Sequence, residues 1–173
     1  MESKHPWKAR LVVGIVMLAL AFLGMVLTNI KSTGNFDYWK WVIPVFAILA
    51  IWLSWYIKRS TEVISPITLG HEIVHWLGLI GAVFIVSFYE QVGIMSRFIA
   101  GLFNLTLLSL TVFIAGIYIE STFLVIGIIL GIFAILAAFI VQYLFAFLIP
   151  IIIAGILLIL LILWISHKRQ KSG

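Results

Sequence analysis

The chain has 173 residues, of which 64% are hydrophobic and 10% charged, with a formal net charge of +5 and no cysteine. A soluble domain is about half apolar and about a quarter charged, and a water-soluble fold of this size could not hide so much apolar surface. The composition excludes an ordinary soluble domain, and the lack of cysteine excludes disulfide and thiolate chemistry. The basic residues flank apolar runs, where they meet anionic lipid headgroups and set orientation, so the positive charge does not point to nucleic acid.

Hydrocarbon offers no partners to backbone N–H and C=O groups, so a span must be a helix or part of a closed barrel. A barrel would alternate polarity every second residue. The apolar runs here are unbroken, and their length predicts transmembrane helices. The fold class expected is an all-α integral membrane protein, a six-helix transmembrane bundle forming a single domain over 1–173. Its spans are 11–30, 39–57, 67–88, 98–119, 122–141 and 144–165.

The first span follows a basic stretch of Lys4, Lys8 and Arg10. Ala19-Leu20-Ala21 has the look of a signal cleavage site, yet the apolar run continues beyond it, which predicts an uncleaved span. The loop Lys31–Asn35 leads to the second span, bracketed by Tyr38, Trp39 and Trp41 at one end and by Trp52, Trp55 and Tyr56 at the other. Such rings favour the headgroup level, as do Trp7 and Trp164. After Lys58-Arg59, Ser65 and Pro66 provide an N-cap and a first helical position for the third span. Glu90 to Gly93 and Arg97 separate it from the fourth, whose Asn104, Thr106, Ser109 and Thr111 suit interhelical or backbone hydrogen bonds.

Glu120-Ser121 ends the fourth span, and residues 122–165 then carry no charge. At about 1.5 Å rise per residue, one helix of that run would be about twice the thickness of the hydrocarbon core. A turn at Gln142-Tyr143 would resolve it into two spans, with a tolerated kink at Pro150 in the second. Gly127, Gly131, Ala134 and Ala138 form a small-residue stripe, expected to pack within the bundle.

With the N-terminus inside, inner segments hold Lys4, Lys8, Arg10, Lys58, Arg59, Lys168, Arg169 and Lys171, against Lys31, Lys40 and Arg97 outside. This bias predicts both termini on the cytoplasmic side of a plasma (inner) membrane. It also puts His5, His71, His75 and His167 on the inner side.

One motif carries possible chemistry: His71-Glu72-Ile73-Val74-His75, at the start of the third span. Spacing of four places both imidazoles on one helical face, where two such groups can bind one Zn²⁺ and Glu72 can activate a bound water as general base. With Thr68 three residues upstream and apolar Leu77 downstream, these ten or so residues resemble the zinc-metalloprotease pattern. The motif's place on a membrane helix is similar to that in the intramembrane site-2 proteases. That resemblance implies a third ligand from a downstream Asp followed by Gly. The single Asp of this chain, Asp37, lies upstream. Glu90 falls at the far end of the third span, whereas Glu120 falls on the same side as the motif. The metal set expected is therefore His71, His75 and Glu120. At about 1.5 Å per residue, His71 lies roughly 7 Å and His75 roughly 13 Å into the helix, so Glu120 would have to face inward or a cleft would have to reach down.

The same residues also fit a plain polar cluster, with His71, Glu72 and His75 bonded to one another, to Thr68 or to a neighbouring helix, and Glu72 meeting Lys58 or Arg59. A proton or cation relay is a third reading. The favoured expectation is a small non-enzymatic membrane component in transport, channel formation, assembly or stress response. The alternative is a zinc-dependent membrane hydrolase. Lipids are the expected partners, together with a second copy or another membrane protein; no nucleic acid is expected, and Zn²⁺ is the one cofactor in question.

Overall fold

The computed structural model describes residues 6–30, 38–58 and 66–170, and nearly all of them are helical, with no strand among them. Five helices follow one another: α1 (Pro6–Ile30), α2 (Tyr38–Lys58), α3 (Pro66–Gln91), α4 (Arg97–Tyr118) and α5 (Ser121–Gln170). His5, the loop Lys31–Asn35, Asp37, Arg59, the Ser65 cap and Lys171 lie outside the described residues.

Residues 1–134 make one compact unit. Within it α1 packs on α2 and α4, α2 on α3, and α3 on α4, closing a ring of four helices. Neighbours run antiparallel. Tyr38 at the start of α2 donates to the Leu20 carbonyl of α1 at 3.0 Å, and Trp39 Nε1 donates to Thr28 Oγ1 at 3.1 Å. The start of α3 meets the end of α2 through Glu72 and Lys58. The end of α3 meets the start of α4 through Glu90 and Arg97, at 3.4 Å. Consequently Arg10, Lys58, the His71–His75 motif and Glu120 share one end of the bundle.

The core is apolar and closely packed. Met17 and Ala21 of α1, Phe46 and Leu53 of α2, Trp76 of α3 and Leu105 and Leu108 of α4 are all but inaccessible. The outward faces are apolar too, with Trp41 72% exposed and Ile48 66% exposed. A contiguous apolar exterior is what lipid, rather than water, tolerates. Five segments are long and apolar enough to cross a membrane: Trp7–Thr28, Tyr38–Lys58, Ile67–Gln91, Arg97–Tyr118 and Ser121–Ile140. The protein is thus a helical membrane protein.

The two inter-helix turns in the described residues follow from local chemistry. Between α3 and α4, Gly93 takes a positive φ of 79°, a conformation that costs a residue without Cβ little. Ser96 then caps α4, its Oγ accepting from Ile99 N. Between α4 and α5, Ile119 and Glu120 make a tight reversal, and Phe123 N donates to Glu120 O at 2.9 Å. The reversal folds α5 onto α4, and glycines make the approach close. A Cβ on Gly116 would fall on the backbone of Leu124, and one on Gly127 would fall on the backbone of Phe113. Ser109 Oγ donates to the Gly127 carbonyl at 2.9 Å, across this same contact. Gly127 and Gly131 of the stripe therefore pack against α4, within the unit, and Ala134 is buried.

The second unit, residues 135–173, holds the later part of α5, in which Phe139 and Tyr143 stack with ring centroids 5.8 Å apart. The expected turn at Gln142-Tyr143 does not form: α5 is continuous through it and through Pro150. Residues 132–149 contain neither Gly nor Pro, so every backbone N–H in that stretch can find its carbonyl four residues back.

Candidate functional site at the basic end of the bundle

The motif on α3 divides its side chains among different surroundings. Glu72 turns into the bundle and is only 5% exposed. Its Oε1 accepts from Lys58 Nζ at 2.7 Å and from Ser54 Oγ at 2.8 Å, both on α2. This is the expected ion pair with Lys58, and it joins the end of α2 to the start of α3. A buried carboxylate is tolerated only when paired and hydrogen-bonded; Ser54, one turn before Lys58, completes that set. The sequence offered no signal for Ser54 beyond its place on an otherwise apolar face.

His75 turns to α4, with Nε2 3.1 Å from the Thr111 carbonyl oxygen. A carbonyl oxygen only accepts, so Nε2 carries the proton in this bond and Nδ1 is the nitrogen left for another partner. His75 also meets Trp76 edge-on, with centroids 5.6 Å apart. His71, one turn nearer the helix start, is exposed.

Between α3 and α4 these side chains border a cleft of about 250 Å³, lined by Thr68, His71, Glu72, His75, Ala115, Tyr118 and Ile119. The cleft brings His71, Glu72 and His75 together and adds Tyr118, which the sequence gave no reason to single out. It does not include Glu120. That carboxylate, 11% exposed, takes Arg10 Nη2 of α1 at 2.9 Å and the Thr122 hydroxyl at 3.2 Å. Its chain neighbour Ile119 lines the cleft instead. Among the described residues no three His, Cys, Asp or Glu side chains gather as a metal site would require.

The basic end therefore holds two ion pairs with structural geometry, Lys58–Glu72 joining α2 to α3 and Arg10–Glu120 joining α1 to the α4–α5 turn. Beside them lies the cleft, whose two histidines are not part of either pair. No protein-family model, curated protein or solved structure matches the chain.

Proposed function

We propose that this protein is a non-enzymatic component of a cell membrane, of the transport or assembly type, that receives a ligand in the cleft between α3 and α4. The observation that carries this reading is the employment of the two carboxylates a hydrolase would need. Glu72 is held by Lys58 and Ser54, and Glu120 by Arg10. A general base must have a lone pair directed at its water, and a third ligand must stand beside the histidines. Here both groups serve to hold helices together.

The reading includes six spans with both termini cytoplasmic in a plasma membrane, supported by the inward bias of Lys and Arg. Fifty helical residues, at about 1.5 Å each, exceed a hydrocarbon core of about 30 Å more than twofold. The six-span reading therefore requires the continuous helix α5 to divide in a bilayer, and Gln142-Tyr143, the most polar point of the uncharged run, is the place it assigns to that division.

Metal analysis of the purified protein tests the reading directly. The expected result is no stoichiometric zinc after purification without chelators, and no change in metal content on His75→Ala. One zinc per chain that disappears in His75→Ala would overturn it in favour of a zinc-dependent hydrolase.

A further inference from the structure

The ligand of the cleft can be narrowed by what its walls offer. Glu72 lines it, and both bonds that tie this carboxylate to α2 end on Oε1. Oε2 is therefore the oxygen with acceptor capacity left. His75 lines it as well. Its Nε2 donates to the Thr111 carbonyl, so Nδ1 presents a lone pair. Thr68 and His71, both exposed beside them, can accept too. The remaining walls are Ala115, Ile119 and Tyr118. The cleft thus sets hydrogen-bond acceptors against apolar and aromatic surface.

That combination discriminates among ligand classes. An anion would stand beside a carboxylate, and like charges repel most where water is scarce. A resident metal ion needs three or four ligands around one point, and no such group gathers among the described residues. For the same reason Glu72 Oε2 has no metal-held water to activate, and its lone pair binds rather than catalyses. A wholly apolar molecule would strip water from the acceptors and give nothing back. A protonated amine or amidine matches the walls. Its polar end only donates, its bonds to a carboxylate are charge-assisted, its cation suits the face of Tyr118, and its apolar body suits Ala115 and Ile119. Lys58 already balances the charge of Glu72, so the acceptors and the apolar wall select the ligand, not net charge. The cleft volume of about 250 Å³ is below the about 300–1,000 Å³ of sites for drug-sized molecules, which limits the ligand to about ten non-hydrogen atoms.

We infer that the cleft binds a small organic cation, a protonated amine or amidine on an apolar body, with its N–H groups on Glu72 Oε2 and His75 Nδ1. This inference rests on the non-enzymatic reading of the same site, in which Glu72 holds α2 to α3 through Oε1.

Isothermal titration of the full chain in detergent, with the heats of empty micelles subtracted, tests it. Benzamidine, benzyl alcohol and benzoate are the probes, because they share a ring and differ at the polar end. One benzamidine per chain is expected. Benzyl alcohol is expected to bind about tenfold more weakly, the worth of one charge-assisted hydrogen bond, and benzoate not at all. Glu72→Gln is expected to abolish the preference for benzamidine over benzyl alcohol. Thr68→Trp, at an exposed position, is expected to block benzamidine with the carboxylate and its partners on α2 intact, so the test stands even if Glu72→Gln fails to fold. Absence of saturable benzamidine binding overturns the inference and leaves the non-enzymatic reading in place. So does binding of benzoate or benzyl alcohol as tight as that of benzamidine, or benzamidine binding unchanged by Thr68→Trp. One zinc per chain in the same preparation, lost with His75→Ala, overturns both readings.

Discussion

At the scale of single residues, the informative positions are the few charges that the apolar helices keep. Glu72 is buried while Lys58 stays partly accessible, with side-chain exposures of 6% and 23%, so their pair falls between a surface ion pair and a buried one. Glu72→Ala leaves the ammonium without its carboxylate and is expected to cost about 2 kcal/mol of bundle stability. In detergent this appears as a lowered thermal midpoint, with the Lys58→Ala, Glu72→Ala double variant losing less than the sum of the single losses. Glu120→Gln at the more exposed Arg10 pair is expected to cost about 1 kcal/mol or less, by the same measurement. The Glu72–Lys58 contact was legible in the sequence because Lys58 ends one span and Glu72 lies near the start of the next. The Arg10–Glu120 contact was not. Spans that are apolar all round carry little rotational phase, so nothing in the sequence says which side of α1 meets α4.

At the scale of elements, glycines separate into two kinds. Gly116 and Gly127 bring the α4 and α5 backbones together, so any side chain there must push the helices apart. Gly116→Val is expected to destabilise the unit by about 3 kcal/mol or to prevent folding, as overpacking does. The yield of monodisperse protein and its thermal midpoint are the readouts. Gly78 faces open space, and Gly78→Ala is expected to be neutral or to stabilise by up to about 1 kcal/mol, through helix propensity. The stripe of Gly127 and Gly131 could be read from spacing alone. Its counterpart Gly116 could not, because one glycine among apolar residues carries no partner information until the α4–α5 reversal sets the register.

The whole molecule is a ring of four helices followed by a long fifth, and its placement in the bilayer can be measured cleanly. The chain has no cysteine, so single cysteines report accessibility without background. With six spans, Gln142→Cys and Val92→Cys are expected to react with an impermeant maleimide added from outside intact cells, and Lys168→Cys only after permeabilisation. Labelling of Lys168→Cys from outside would leave an odd number of spans. The helical, membrane-spanning character is legible because hydropathy acts on whole segments. The cleft is not, because it depends on the rotation of α3 against α4, which the Thr111 carbonyl and small Ala115 settle only once the helices are packed.

The Arg10–Glu120 contact also has a meaning in time. The two residues are 110 positions apart (120 minus 10) in the sequence, and a ribosome adds about 5–20 residues per second. For roughly 5 to 20 s of synthesis, then, the guanidinium on the first helix waits among lipid phosphates for a carboxylate that has not yet been made. Its arrival with the α4–α5 turn adds a polar contact to a helix pair whose packing is otherwise apolar.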